Sequence, residues 1–123
     1  MAEEITASAS LSVDNGIVSA KLAKVGLSID LAGSDFTHQT QAVSVSQAAL
    51  DKGSIGTLGW FIGINRSTTA AEIISIRWAS AEQAVVKIEP GEFACFRCGS
   101  DMTDPFLYTP TGTPVLEYLL IED

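Results

Sequence analysis

The chain has 123 residues, 46% of them hydrophobic, with 7 basic and 15 acidic side chains and a formal net charge of −8. That length leaves room for one ordinary core and no second module, and the apolar content excludes wholesale disorder. The acid excess excludes a surface built to grip phosphates, which needs clustered Lys and Arg; Lys21 and Lys24, the one close pair of bases, stand among apolar residues.

From residue 5 to residue 14 the chain alternates strictly. Ile5, Ala7, Ala9, Leu11 and Val13 share one parity, and Thr6, Ser8, Ser10 and Ser12 share the other. Successive side chains of a strand point to opposite faces, so this pattern predicts a half-buried β-strand. A helix would scatter the same apolar residues around its circumference. Asp14-Asn15-Gly16 supplies a turn that tolerates positive φ.

The rhythm recurs along the chain. Residues 17–25 are apolar at Val18, Ala20 and Leu22, and Leu27, Ile29 and Leu31 alternate up to a turn at Gly33-Ser34-Asp35. Strands are predicted over 39–47, 58–64, 73–78, 84–88, 93–98, 106–109 and 115–121, punctuated by Gly53, by Glu89-Pro90-Gly91-Glu92 and by Pro105 and Pro110. Segment 73–78, apolar on both faces apart from Ser75 and Arg77, is predicted as a central strand. Two segments have helical alternatives: 18–24, rich in Ala, Lys and Leu, and one turn within 45–52.

About 8–10 short strands with turns every 8–12 residues predict an all-β fold. The expectation is a single antiparallel β-sandwich over residues 1–123, jelly-roll or Greek-key like. Residues 1–14 are read in two ways: as a strand within that sandwich, or as an edge strand or exchanged N-terminal arm that adds to a neighbouring subunit. In the second reading Thr6, Ser8, Ser10 and Ser12 are the candidate subunit-interface residues.

The chemistry-bearing residues do not assemble into a reactive set on paper. Cys95 and Cys98 form a Cys-x-x-Cys, but zinc wants four ligands and the chain offers only His38 besides. In a strand, positions three apart face opposite sides, so one core thiol and one peripheral thiol are expected. His38 is read as a polar loop or strand-edge residue. The pairs Glu89/Glu92, Asp101/Asp104 and Glu122/Asp123 are read as solvated turns and ends, with weak calcium at Asp101/Asp104 as the sharper alternative. Trp60 and Trp78 are expected in the core and Tyr108 is expected to be the most exposed ring. Gly59 and Gly63 are read as strand glycines approached by another backbone or ring. No catalytic residue, metal ligand or cofactor is assigned.

No apolar run reaches the ~20 residues that a membrane-crossing helix requires, and the acidic start, Met1-Ala2-Glu3-Glu4, is unlike a secretory signal. Neither a membrane nor a nucleic acid is expected as partner.

Three stretches resemble small virion proteins of tailed bacteriophages: Asn65-Arg66-Ser67-Thr68-Thr69 before strand 73–78, the run Val86-Lys87-Ile88-Glu89-Pro90-Gly91-Glu92, and the closing Leu116-Glu117-Tyr118-Leu119-Leu120-Ile121-Glu122-Asp123. The similarity covers residues 57–123 and lies in rhythm and turn chemistry. It implies a non-enzymatic capsid decoration (cement) protein: a homo-oligomer, with a trimer in view, bound to the major capsid or another virion protein. The chain would be made in the host cytoplasm and located in the virion. A neck or tail adaptor or ring component is the first alternative. A carbohydrate-binding sandwich is the second.

Overall fold

A computed structural model describes residues 5–14, 16, 17, 19–30, 33, 35–80 and 83–123. Asn15, Val18, Leu31 and Ser34 of the expected strands and turns lie outside the described residues. The described residues form ten strands and no helix, and every pairing is antiparallel. The chain divides into two compact units, residues 1–32 and 33–123.

The first unit is a two-stranded ribbon of β1 (Ile5–Asp14) and β2 (Ser19–Ile29). The alternation of β1 carries across to its partner: Ala7 faces Leu27, Leu11 faces Leu22 and Val13 faces Ala20. The helical alternative for 18–24 is overturned over its described residues, 19–24, because their backbone is committed to the ladder with β1. The register slips once, between Ala7 and Ala9. There Gly26 takes φ +67°, and its N–H donates to Ser8 Oγ at 2.9 Å. The extra residue on β2 keeps one face in register, with Ala7 opposite Leu27 before the slip and Leu11 opposite Leu22 beyond it.

The second unit holds β3 (Phe36–Ala42), β4 (Ala48–Ala49), β5 (Leu58–Asn65), β6 (Ile74–Arg77), β7 (Ala84–Ile88), β8 (Phe93–Arg97), β9 (Phe106–Tyr108) and β10 (Val115–Glu122). They pair as two four-stranded sheets, β3-β10-β5-β8 and β4-β9-β6-β7. The chain changes sheet at every connection except β6 to β7. Counting these strands from one to eight gives the orders 1-8-3-6 and 2-7-4-5, the winding of a jelly roll. Strand β6 is internal to its sheet, as its apolar character predicts.

The two inner faces meet in one core. Leu116, Tyr118 and Leu120 of β10 and Phe61 of β5 belong to the same cluster as Ile74, Ile76, Ile88 and Leu107 of the other sheet. Phe61 stacks on Phe96 at 5.0 Å between centroids, and Tyr118 lies 6.2 Å from Phe61 on stacked planes.

The helical turn considered within 45–52 is also overturned. Its backbone is extended and tied to polar residues on the inner side of β3. Gln39 Nε2 donates to the Asp51 carbonyl at 3.1 Å and Gln41 Nε2 to the Ala49 carbonyl at 2.9 Å, while the Asp51 N–H donates to Gln41 Oε1 at 2.9 Å. Tyr118 contributes its hydroxyl to the Asp51 carbonyl at 2.5 Å. These bonds replace the i→i−4 ladder that a helix would have supplied.

Candidate functional site

Half of each sheet's side chains point away from the core. On an antiparallel sheet these are ordinarily polar. Those of β3-β10-β5-β8 are not. Read across the strands, the outer rows are Phe36–Ile121–Trp60–Arg97, His38–Leu119–Ile62–Cys95, Thr40–Glu117–Ile64–Phe93 and Ala42–Val115. The first three positions of the top row, the middle two of the second and the last two of the third are apolar, so one greasy patch runs diagonally from Phe36 on β3 to Phe93 on β8. Phe36 and Phe93, on the two edge strands, are 66% and 65% exposed, and Ile62 and Val115 are exposed as well. Covering each of these side chains would contribute about 1.5–3 kcal/mol. A continuous exposed apolar face of this kind marks an interaction surface.

A polar group borders the patch. Glu117 accepts from His38 Nε2 at 2.9 Å and from Arg66 Nε at 2.7 Å. Hydrogen bonds from His38 and then Arg66, with the Arg66 charge behind them, hold the Glu117 carboxyl below its ordinary range. His38 thus sits on an edge strand, the second of its two expected placements. Arg97 closes the far side on Asp123 at 2.7 Å.

The other residues singled out from the sequence fall into separate places. Cys95 is exposed on the outer face and Cys98 is buried; both are free thiols, as the strand geometry predicts. Burial pushes the Cys98 thiol up to about 11. Asp104 pairs with Lys52 at 2.8 Å, Glu89 with Lys87 at 2.7 Å, and Glu122 Oε1 accepts the Gly56 N–H at 3.1 Å. Among the described residues no three His, Cys, Asp or Glu side chains gather as a metal site. Gly59 and Gly63 behave as read: a Cβ on Gly59 would stand 2.8 Å from the Ile121 carbonyl oxygen, and one on Gly63 would stand 2.6 Å from the Phe61 ring.

The aromatic expectations need correction. Trp78 is 47% exposed rather than core, because β6 ends at Arg77 and the chain leaves the sheet there. Trp60 is half-buried on the outer face, since the core-facing parity of β5 belongs to Phe61. Tyr108 is half-buried beneath the Arg77 guanidinium, 4.9 Å from its centroid.

The ribbon presents a second apolar surface. Ala7, Ala9, Leu11 and Val13 share a face with Ala20, Leu22, Leu27 and one charged residue, Lys24. Leu11 and Leu22, directly opposed, are 81% and 82% exposed. Thr6, Ser8, Ser10 and Ser12 line the opposite face, where Ser8 closes the bulge with Gly26.

The sequence carried a signal for the outer sheet face that alternation alone did not resolve. Residues 58–64 and 118–121 hold apolar side chains at both parities, which places an oily group outside as well as inside.

Comparison with known proteins adds no identity: no family pattern, curated sequence or solved structure matches this chain.

Proposed function

We propose that this protein is a non-enzymatic structural component of a tailed-phage virion, a capsid decoration protein that oligomerises and binds the shell. The observation that carries the reading is the apolar outer face of the β3-β10-β5-β8 sheet, with Phe36 and Phe93 exposed at its margins. A sheet coated on both sides with apolar groups is built to be covered by protein. The jelly-roll winding and the resemblance of residues 57–123 to phage virion proteins support the choice of a particle as the setting. Many weak contacts repeated over a symmetric shell would hold such a protein by avidity.

Sedimentation with purified parent particles tests the reading. The chain is expected in the particle fraction, and Phe36→Ser with Phe93→Ser is expected to release it. Absence of the wild-type chain from the particles overturns the proposal. Copy number separates decoration from the neck or tail alternative, since a shell protein is present in multiples set by the capsid and a ring component in few copies.

The exposed indole of Trp78 favours a second reading, a carbohydrate-binding face. Rings that stack on sugars must be open to solvent, and Trp78 follows Arg77 at the end of β6, near the Tyr108 ring. A glycan array with no hit that depends on Trp78 removes it.

A further inference from the structure

An isolated two-stranded ribbon is at best marginally stable in water; it needs a third strand or a packed face. Here the ribbon has a mainly apolar face, interrupted by Lys24 opposite Ala9, on which the paired Leu11 and Leu22 are more than four-fifths exposed. The same chain carries a second uncovered apolar surface, the outer face of β3-β10-β5-β8. Each lacks what the other is.

We propose that the apolar face of the ribbon packs on the outer face of the β3-β10-β5-β8 sheet of a second copy of this chain. The proposal deepens the oligomeric part of the decoration reading and rests on that part alone. Area selects this occupant over a simple meeting of two ribbons. With strands of 10 and 11 residues, a ribbon face measures about 34 Å by about 10 Å. Two ribbons meeting face to face would therefore cover only about 700 Å² in total, below the roughly 1,200 Å² where specific interfaces begin. Reciprocal exchange doubles the contact, because each copy both gives a ribbon and receives one. The total then reaches about 1,400 Å², within the ordinary range. The exchange also closes: a dimer or a ring leaves no copy with an uncovered ribbon or sheet. Aligned sheets pack about 10 Å apart with interdigitating side chains. The small Ala7, Ala9 and Ala20 beside Leu11 and Leu22 give the ribbon face the relief such packing needs.

The test uses the full chain and two paired variants, Leu11→Ser with Leu22→Ser on the ribbon and Phe36→Ser with Phe93→Ser on the sheet. All four positions are exposed or edge positions, and far-ultraviolet dichroism with a thermal melt verifies that each variant retains its strands. Sedimentation velocity reads the mass. The wild type is expected at a multiple of 13.0 kDa, and each paired variant at the single-chain mass. A wild type that sediments as a single chain overturns the proposal, as does a ribbon variant that keeps the wild-type mass. A sheet variant that keeps it also does so, and then assigns the ribbon a different partner. Particle binding is scored separately. A wild type that sediments as an oligomer but does not bind the particles defeats the decoration reading and leaves this inference intact. An unchanged ribbon-variant mass with particle binding preserved does the reverse.

Discussion

The side-chain amide of Asn65 donates to the main-chain carbonyl of Ile88 at 3.0 Å. Asn65 is fully buried at the end of β5. The same amide donates to the Glu72 carbonyl at 2.8 Å, and Asn65 Oδ1 accepts the Ser67 N–H at 3.0 Å. Its main chain closes the loop on the β7–β8 turn: the Gly91 N–H donates to the Asn65 carbonyl at 2.9 Å, and the Asn65 N–H donates to the Glu92 carbonyl at 3.0 Å. The segments 65–69 and 86–92 are thus tied by one structural latch. Asn65→Leu leaves the Ile88 and Glu72 carbonyls and the Ser67 N–H without this partner in a dry site. The expected loss is about 2–4 kcal/mol, read by urea denaturation. A loss below about 0.5 kcal/mol, the range of an ordinary surface change, would contradict the latch.

Gly59 marks where β5 shifts register against β10, between the pairs Trp60–Ile121 and Leu58–Glu122. A Cβ there meets three main-chain atoms of residues 121–123, at 2.8–3.0 Å. Backbone cannot swing away as a side chain can. Gly59→Ala is expected to cost about 2 kcal/mol or more, whereas Gly99→Ala, which meets nothing within 4 Å, is expected to stay within about 0.5 kcal/mol of wild type. Thermal melts of the two variants side by side check the contrast.

The two thiols are expected to differ in reactivity. The thiolate is the nucleophile, Cys98 is buried with its thiol pushed up to about 11, and Cys95 is exposed on the outer sheet face. Burial raises Cys95 to a smaller degree. Alkylation of the native protein near neutral pH is expected to label Cys95 first, with Cys98 following only on unfolding. Mass spectrometry of digested samples over time reads the order. Equal labelling of both in the native state would contradict the placement of Cys98.

Glu117 provides a pH signature. Its carboxyl lies below the usual glutamate range because His38 and Arg66 donate to it. A depressed folded value means that the contact's contribution is complete above the unfolded glutamate value, near 4.3, and is lost as pH falls through the lower folded value. Arg66→Ala removes one donor and its charge, so the Glu117 midpoint is expected to move upward. A carbon-detected NMR titration of the carboxyl reads it. No movement would show that His38 alone sets the value. The group is solvent-exposed, so the shift is expected to shrink in high salt.

Most of the strands were legible in the chain because alternation is a direct print of the pleat. The run from Ile5 to Val13 defines β1, and the Pro-Gly turn at 90–91 separates β7 from β8, with Gly91 at φ +82°. Segments 18–24 and 45–52 were ambiguous for a physical reason: their local preference was neutral, and distant partners decided them. Leu11 opposite Leu22 fixes the first, and Gln39, Gln41 and Tyr118 hold the second. Aromatic burial is not legible from the chain, because hydrophobicity does not report which parity faces the core. Phe61 takes the inner position on β5, so Trp60 is turned outward. The candidate surface was the least legible part. Apolar side chains at both parities of 58–64 and 118–121 indicate a strand covered on two sides, but only the pairing of β5 and β10 at the centre of one sheet reveals that the second side is an outer face.

The proposal that the outer face of β3-β10-β5-β8 is covered by protein on a particle is tested by a cryo-electron-microscopy map of the proposed parent virion. Jelly rolls repeated over the shell, with Phe36 and Phe93 buried against a neighbouring chain, are the expected result. Jelly rolls whose outer sheet face stands open to solvent, or a particle that lacks the chain, would contradict it.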